Sequence, residues 1–261
     1  MRIGIIGAGT MAGAMAAAIA AAREDARFYA HDVNPDQLAR FAADVPRVEP
    51  CAGNPQVAAS SDVVFLAVKP QGMETVLAEL ADAEALVVSI AAGVRLARLE
   101  AAMPRARVVR VMPNTPALVG EMAAGYAAGV RALPADLELV QSLLTCAGAA
   151  YPVAEELLDA VTGVSGSGPA FVARIMEAFT DAAIAEGLPA EVATGLVLST
   201  FSGTAQLLRQ KGLTPDELVR MVSSKGGTTV AGRRVLEASG LHGIIRQTVA
   251  TAVARSRELG Q

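Results

Sequence analysis

The feature that most constrains the fold is a glycine-rich turn close to the start of the chain. The run 2–6 has the pattern of a buried strand, and Gly7-Ala8-Gly9-Thr10-Met11-Ala12 follows it and opens a helix rich in Ala and Met. In dinucleotide-binding folds, the first glycine permits a tight bend and the second lets the backbone approach a pyrophosphate at the helix N-terminus. This strand–turn–helix context predicts a dinucleotide-binding unit, with Ala12 keeping the helix close to the sheet.

Further strand patterns alternate with helical segments over the first part of the chain. Each is a short run dominated by apolar residues, many of them β-branched, as expected of strands that are covered on both faces. These runs lie at 28–32, 63–68, 86–90 and 108–112. Such alternation predicts βαβ units and a parallel sheet. The predicted fold class is therefore α/β, with an N-terminal Rossmann domain.

The pattern changes at about residue 155, after which apolar residues recur at helical spacing. One predicted helix covers 172–183 and another covers 196–201. Thr214-Pro215-Asp216-Glu217 predicts a helix start, with a capping Thr, a Pro in the first turn and a Glu three residues after the cap. We therefore predict two domains, a dinucleotide-binding domain over 1–155 and an all-helical domain over 156–261.

The helices predicted in the second domain are apolar over wide faces. A small bundle cannot bury such faces by itself, so we expect them to pack against another chain. Most oligomers of soluble proteins are symmetric assemblies of identical chains, with dimers the commonest. The sequence therefore predicts a homodimer, and the helical domain is its dimerisation domain.

The charge balance and the cysteine content exclude several classes of function. The formal net charge is −4, whereas a surface for nucleic acid or anionic lipid needs a basic excess. Cys51 and Cys146 match neither a metal-ligand spacing nor a disulfide framework, which favours a reducing, cytoplasmic location. Glycines interrupt the apolar N-terminal stretch, and no other stretch approaches the roughly 20 apolar residues of a bilayer span. We expect no nucleic acid, membrane or metal partner.

Asp32 stands at the end of the second predicted strand and has two interpretations. An acidic group there can hydrogen-bond the adenosine ribose of the cofactor and would repel a 2′-phosphate, which favours NADH over NADPH. No arginine follows directly to bind that phosphate, although Arg40 could reach it from the next helix. The alternative is that Asp32 only caps the helix that begins near Asn34-Pro35.

Three further segments carry polar or conformationally special residues at the ends of predicted elements. Ala67-Val68-Lys69-Pro70 closes a strand, at the edge where ligands bind to open parallel sheets. Arg110-Val111-Met112-Pro113-Asn114-Thr115-Pro116 closes a later strand, and its two prolines make the Asn-Thr loop rigid. Ser165-Gly166-Ser167-Gly168-Pro169 predicts a glycine-rich turn that leads into a helix. Each segment alone is also compatible with an ordinary loop.

The segment Ser223-Ser224-Lys225-Gly226-Gly227-Thr228-Thr229 lies between two predicted helices. Consecutive glycines expose backbone N–H groups at a helix start, which suits a carboxylate ligand. The threonine hydroxyls can donate a hydrogen bond to a substrate nitrogen or accept one from it. The alternative is an ordinary interhelical turn with a threonine cap, which this segment alone would favour.

Taken together and in this order, these segments resemble the pyrroline-5-carboxylate reductase family over nearly the whole chain. The resemblance implies a Rossmann domain to about residue 155 and a helical domain that interlocks with a second subunit, with dimers assembling into pentamers of dimers. It also implies hydride transfer from NADPH or NADH to the C=N carbon of 1-pyrroline-5-carboxylate, giving L-proline. A protonated cyclic imine is already electrophilic, so this reaction needs no metal or strong acid and depends on positioning.

The resemblance also assigns roles to residues by their position. It implies that the cofactor is bound by Gly7, Ala8, Gly9, Thr10, Met11, Asn54, Ala67, Val68, Lys69 and Pro70. It implies that the substrate is bound by Asn114, Thr115, Ser224, Lys225, Gly226, Gly227 and Thr228. Thr229 matches the family threonine that hydrogen-bonds the ring nitrogen, and it is the expected catalytic residue. Two positions depart from the family pattern, since Lys225 stands where Pro is common and Phe171 where Tyr is common.

Two other functions are compatible with the same nucleotide domain. One is a related imine or β-hydroxyacid reductase, although the β-hydroxyacid enzymes use a catalytic Lys on a helix and neither Lys211 nor Lys225 stands in such a motif. The other is a non-catalytic, nucleotide-sensing paralogue, against which the intact Gly226–Thr229 segment argues. His31 and His242 belong to no catalytic constellation, and we expect both to be structural or exposed.

Overall fold

The computed structural model describes residues 1–260, and this part of the chain divides into two compact units. The first unit contains Met1–Ser167 together with the residues from Thr251 onward. The second unit contains Gly168–Ala250. In sequence, the second unit is therefore an insertion within the first.

The first unit is built on a sheet in which eight strands are described. In chain order they are β1 (Arg2–Ile6), β2 (Arg27–His31), β3 (Val48–Pro50), β4 (Val63–Leu66), β5 (Leu86–Ser89), β6 (Arg107–Met112), β7 (Met122–Ala128) and β8 (Gly148–Pro152). Their order across the sheet is β3-β2-β1-β4-β5-β6-β7-β8. The chain thus proceeds in one direction from β1 to β3 and in the other from β4 onward. This reversal between β1 and β4 opens the crevice in which doubly wound sheets bind nucleotides.

Both faces of the central strands are covered by apolar side chains. In β4, Val63 and Phe65 pack in a cluster on one face, whereas Val64 and Leu66 pack in a second cluster on the other. Because side chains alternate across a strand, a strand buried on both faces is apolar at every position. The prediction of a doubly covered parallel sheet is confirmed for β1, β2 and β4–β6.

The apolar sequence pattern did not predict every strand of the sheet. The strands β3, β7 and β8 were not predicted, because β3 has three residues and the other two are rich in Ala and Gly. The strand β7 also runs antiparallel to β6, with Val111 opposite Tyr126. The connection between them, 113–121, contains no crossover helix, and parallel neighbours require one. The pair β6–β7 is therefore the antiparallel exception in a sheet whose other described pairs are parallel, as predicted.

The helices of the first unit connect the strands. They are α1 (Thr10–Ala22), α2 (Pro35–Asp44), α3 (Asn54–Ala59), α4 (Met73–Glu79), α5 (Leu96–Ala102), α6 (Pro134–Leu144) and α7 (Leu158–Val161). Short 3₁₀ segments lie at Pro70–Gly72, Thr115–Val119, Thr145–Ala147 and Glu155–Leu157. A π-helical turn, Thr162–Gly166, continues α7.

The second unit is helical throughout its described length. Its helices are α8 (Gly168–Ala185), α9 (Ala190–Lys211), α10 (Pro215–Val222), α11 (Thr228–Ala238) and α12 (Leu241–Leu259), the last of which ends in the first unit. The predicted helix start is confirmed by two reciprocal hydrogen bonds. The hydroxyl of Thr214 accepts from the backbone N–H of Glu217, and the carboxylate of Glu217 accepts from the backbone N–H of Thr214. Phe179 and Phe201 join α8 to α9 edge to face, with ring centroids 5.3 Å apart.

Large apolar side chains of the second unit remain exposed in the single chain. Val235 is 73% exposed, Met221 60% and Ile244 59%, and no residue of α8, α10 or α11 is fully buried. Monomeric soluble proteins rarely expose so many neighbouring apolar residues. The surface is that expected of helices that pack on a second chain.

Candidate active site

The glycine-rich turn joins β1 to α1 against the end of β4. Gly7 has φ of +93°, a conformation that residues with a side chain rarely adopt. A methyl group on Gly7 would lie 2.8 Å from the carbonyl carbon of Ala67 and 2.9 Å from Cγ1 of Val68. The predicted tight bend is therefore present, and it requires glycine for both its backbone angle and its close contact with β4.

The turn leaves space for a ligand at the N-terminus of α1. Gly9 is the N-cap residue of this helix, and a methyl group placed on it would meet nothing nearer than Oε1 of Gln37 at 4.0 Å. Thr10 and Met11 form the first helical turn, whose backbone N–H groups have no partner within the helix. These groups and the helix dipole together favour an anionic ligand such as a pyrophosphate.

Asp32 joins this turn to the loop after β2. Its Oδ2 accepts a hydrogen bond of 2.7 Å from the backbone N–H of Ala8, and its Oδ1 accepts one of 2.7 Å from Asn34. The cap of α2 is Asn34 and not Asp32, since the Asn34 side chain accepts from the N–H groups of Asp36 and Gln37. The carboxylate of Asp32 is thus fixed beside the glycine turn.

A small pocket at the β1/β4 reversal brings four predicted cofactor residues together. Its described lining residues are Ile6, Gly7, His31, Asp32, Val33, Asn54, Val68 and Val76. Neither a lysine nor an arginine is among them, although the exposed Lys69 directly follows the lining residue Val68. The described lining of the pocket therefore includes no cationic side chain.

Asn54 is the buried polar residue of this pocket. Its Nδ2 donates a hydrogen bond of 2.7 Å to Oε2 of Glu79, whereas its buried Oδ1 has no partner among the described residues. Buried carbonyl oxygens are nearly always hydrogen-bonded, so this atom indicates a group that arrives with a ligand. Together with the open side of Gly9, the residues present fit a dinucleotide.

His31 lines this pocket and Glu79 contacts its residue Asn54, and sequence reasoning assigned neither of them to the cofactor site. Nδ1 of His31 lies 3.1 Å from the carbonyl oxygen of Cys51, and the ring lines the pocket. The predicted structural role of His31 is present, but the residue also borders the site. Burial raises the pKa of the Cys51 thiol, and the nearby Glu49 adds to this rise. The position of His31 directly before Asp32 could have indicated that it lies at the site, whereas no sequence pattern indicated Glu79.

Asn114 is held by main-chain groups from two segments of the first unit. Its Nδ2 donates to the carbonyl oxygen of Ser165 at 3.2 Å, and its Oδ1 accepts from the N–H of Ala123 at 2.8 Å. The Ser165 hydroxyl in turn donates to the carbonyl oxygen of Ala123. Thr115 is exposed at the start of a 3₁₀ helix. The Asn114 side chain thus donates to one main-chain group and accepts from another, and these bonds hold the predicted Asn-Thr loop in place.

The segment 165–169 differs from the predicted open turn. Ser165 and Gly166 belong to the π-helical turn, in which the N–H of Ser167 donates to the carbonyl oxygen of Thr162 at 2.8 Å. The wide π turn forms because α7 continues into α8 with little interruption. Pro169 lies in the first turn of α8, as predicted.

The loop between α10 and α11 belongs to the second unit. Gly226 has φ of +74°, and the N–H of Gly227 donates to the carbonyl oxygen of Ser224 at 3.0 Å. The helix α11 then begins at Thr228, with Gly227 as its N-cap. The first N–H groups of α11 lack partners within the helix, and Lys225 and Thr229 are exposed in the single chain.

Residues 1–260 contain neither a candidate metal site nor a candidate membrane span. No three His, Cys, Asp or Glu side chains in this range are grouped so that they could hold a metal ion. None of the helices described is both long enough and apolar enough to cross a bilayer.

Two protein-family profiles match the chain. Residues 155–259 match one described as pyrroline-5-carboxylate reductase dimerisation, and residues 2–93 match one described as NADP oxidoreductase, coenzyme F420-dependent. A pyrroline-5-carboxylate reductase from Synechocystis sp. is 40% identical over 264 residues, covering 100% of this chain and 99% of that protein.

Solved structures give the same result for the fold. A pyrroline-5-carboxylate reductase from Coxiella burnetii superposes with a TM-score of 0.92 at 32% identity, covering 99% of this chain and 98% of that one. A Plasmodium falciparum pyrroline carboxylate reductase, solved with NADP bound, gives a TM-score of 0.83 at 27% identity, covering 100% and 98%.

Proposed function

The chain belongs to the pyrroline-5-carboxylate reductase family, and from this premise we propose how its residues serve the reaction that the family name describes. The enzyme transfers hydride from NADH or NADPH to the C=N carbon of 1-pyrroline-5-carboxylate and releases L-proline, the last step of proline biosynthesis. The observation that carries this conclusion is the 40% identity to the Synechocystis enzyme. The similarity covers 100% of the chain, and so both the glycine turn and the Gly226–Thr229 segment lie within the matched region.

The first unit holds the cofactor, which supplies the hydride when bound. We assign the pyrophosphate to the backbone N–H groups of the turn Gly7–Met11 and the adenosine ribose to Asp32 and Asn54. Ala67, Val68, Lys69 and Pro70 form the neighbouring wall at the end of β4. Since Asp32 is fixed beside the turn and the lining residues include no Lys or Arg, we propose that NADH is preferred over NADPH.

The loop Ser224–Thr228 holds the substrate carboxylate through its backbone N–H groups at the start of α11. Lys225 adds a positive charge to this loop, which attracts the same carboxylate. The Thr229 hydroxyl hydrogen-bonds the ring nitrogen, orients the imine for hydride addition and is the group through which a proton reaches that nitrogen. Phe171, near the start of α8, replaces the tyrosine of the family pattern and offers no hydroxyl.

Asn114 and Thr115 act at the substrate side of the Rossmann domain. Because the Asn114 side chain is occupied by Ser165 and Ala123, its role is to hold the loop in shape. Thr115 is exposed and free to face the substrate.

The functional division of the chain is a cofactor domain over 1–155 and a dimerisation and substrate domain over 156–261. We propose that the active enzyme is a homodimer, in keeping with the dimerisation profile and the exposed apolar helices. We further propose that dimers assemble into pentamers of dimers, and that the enzyme works in the cytoplasm.

The test is the initial rate of absorbance loss at 340 nm, with purified protein, 1-pyrroline-5-carboxylate and either NADH or NADPH. Turnover to proline is the expected result, and the ratio of the two kcat/KM values reports the cofactor preference. A folded protein that binds a nicotinamide cofactor but gives no turnover with either one would overturn the substrate assignment.

A further inference from the structure

Glu79 lies outside every segment that the sequence pattern singled out, yet it contacts the buried amide of the cofactor pocket. It is the last residue of α4, and its Oε2 accepts a hydrogen bond of 2.7 Å from Nδ2 of Asn54. A carboxylate has no hydrogen to donate, so the Asn54 atom that faces it must be the NH₂ group. The planar amide then directs Oδ1 away from Glu79.

The orientation of Asn54 decides what the pocket can bind. Oδ1 is buried and has no hydrogen-bond partner among the described residues, and Asn54 lines the pocket with Gly7 and Asp32. A carbonyl oxygen requires a donor, and a ribose hydroxyl is a donor. An ionised phosphate offers only acceptors, so it cannot satisfy this atom.

The position of Glu79 is not explained by the stability of its own helix. A negative charge at the C-terminal end of a helix opposes the helix dipole, where a cation is favoured. Glu79 is exposed, and within the described chain no Lys or Arg forms an ion pair with it. Its side chain instead accepts the hydrogen bond from Asn54.

We infer that Glu79 is a positioning residue, which holds the Asn54 amide so that Oδ1 accepts a hydrogen bond from the adenosine ribose of the cofactor. The inference rests on the proposed function of the pocket and adds a residue to it. Asn54 and Asp32 line the same pocket, so the two residues offer acceptors to the two hydroxyls of that ribose, and we assign the 2′-hydroxyl to Asn54. In NADPH this hydroxyl is esterified, so Glu79 contributes less to the binding of that cofactor.

The experiment is a double-mutant cycle on the adenosine half of the cofactor, which requires no imine substrate. ADP-ribose and its 2′-phosphate are titrated calorimetrically into the full-length wild type, Glu79→Ala, Glu79→Gln, Asn54→Ala and the double variant Asn54→Ala/Glu79→Ala. Glu74→Ala is the matched control, since Glu74 also lies on α4 but pairs with Arg98 at the surface.

Glu79→Ala is expected to raise the Kd of ADP-ribose by about 5- to 10-fold, the net contribution of one hydrogen bond. For the 2′-phosphate form, we expect less than about a twofold change. Glu79→Gln retains an acceptor oxygen and should restore part of the affinity. In the Asn54→Ala background, the second change should have no further effect, because Glu79 acts through Asn54. Glu74→Ala should bind as the wild type does.

Additive losses in the cycle, or equal losses for the two ligands, would overturn the inference, as would wild-type affinity in Glu79→Ala. Circular dichroism establishes whether each variant is folded. If Glu79→Ala is not folded, the test relies on Glu79→Gln. Turnover of 1-pyrroline-5-carboxylate by the wild type is measured separately. A failure of the proposed function would appear there, while a failure of the Glu79 inference would appear only in the cycle.

Discussion

The hydroxyl of Ser256 donates a hydrogen bond of 2.7 Å to Oδ1 of Asp159, and both side chains are buried. These residues are 97 positions apart in sequence. Nearby, Nε of Arg95 donates to the carbonyl oxygen of Gly260 at 3.0 Å, and its Nη2 lies 3.8 Å from Oδ2 of Asp159. The end of α12 is therefore attached to the rest of the first unit by polar contacts, of which the Ser256–Asp159 hydrogen bond is buried.

Replacing Ser256 by Ala should lower the free energy of unfolding by about 1–3 kcal/mol, because the buried Asp159 carboxylate loses a donor. The measurement is urea unfolding followed by circular dichroism, at one fixed protein concentration since the enzyme associates. Ser239→Ala is the control, because this hydroxyl donates to Leu236 at an exposed helix end. Equal midpoints for the two variants would show that the Asp159 contact contributes nothing.

Replacing Gly7 by Ala should raise the Kd of NADH at least about 10-fold, because the added methyl group meets Ala67 and the φ of +93° is strained. Titration by NADH fluorescence measures this. Gly13→Ala in α1 is the matched control, since a methyl group there meets nothing within 4 Å. It should stabilise the helix by about 0.5–1 kcal/mol and leave binding intact. Normal binding by Gly7→Ala would contradict the role of this turn.

Asp32→Asn should change the cofactor preference. The amide oxygen can still accept from the N–H of Ala8, although the hydrogen bond from the N–H of Asn34 is lost, and the charge that opposes a 2′-phosphate is removed. We expect the ratio of kcat/KM for NADH to that for NADPH to fall about 10-fold. Steady-state rates with both cofactors at saturating imine give this ratio, and an unchanged ratio would assign the preference to another residue.

Thr229→Ala should lower kcat/KM for the imine by about 100-fold, because the ring nitrogen loses both its orienting group and its route to a proton. Thr229→Ser keeps the hydroxyl and should retain most of the activity. NADH binding should be equal in the two variants. If the alanine and serine variants had the same kcat/KM, the hydroxyl would have no part in the reaction.

The ion pair between Arg2 and Asp62 predicts a contribution to acid stability. Hydrogen bonds from the Arg2 side chain and backbone lower the pKa of Asp62 below its usual 3.8. The folded state therefore binds a proton less readily than the unfolded state, so the stabilisation is present above pH 3.8 and is lost as the pH falls through the lowered pKa. Asp62→Asn should give a shallower fall of the urea midpoint below pH 4. Asp44→Asn, at the exposed end of α2, should leave the slope unchanged.

The sequence predicted the fold wherever a strand is apolar throughout or a turn needs a special residue. The strand Val63–Leu66 and the bend at Gly7 are of this kind. The strand Met122–Ala128 was missed because its Ala and Gly residues carry little β-propensity, and its direction follows from a connection too short to cross over. The pattern was therefore informative about buried strands and uninformative about small-residue strands at one side of the sheet.

The prediction of the candidate site from the sequence is limited in a similar way. The position of Asp32 and the family resemblance of Asn54 predicted a role at the cofactor, but neither predicted the hydrogen-bond partners of these residues. The hydrogen bond between Asn54 and Glu79 joins residues 25 positions apart in different helices, and neither residue stands in a pattern that reveals the other. Only packing decides which atom of the Asn54 amide faces Glu79.

The insertion of the helical unit within the first unit has a consequence for synthesis. Translation proceeds from the N-terminus, so all eight strands and the helices to Ala250 emerge before the turn that carries Ser256. Until then, Asp159 lacks its hydroxyl partner and Gly93 lacks the neighbouring end of α12, whose Leu259 oxygen lies 3.2 Å from where a Gly93 methyl group would stand. The sheet of the nucleotide-binding unit is thus synthesised before the helical unit, whereas the turn that completes its contacts at Asp159 is synthesised after it.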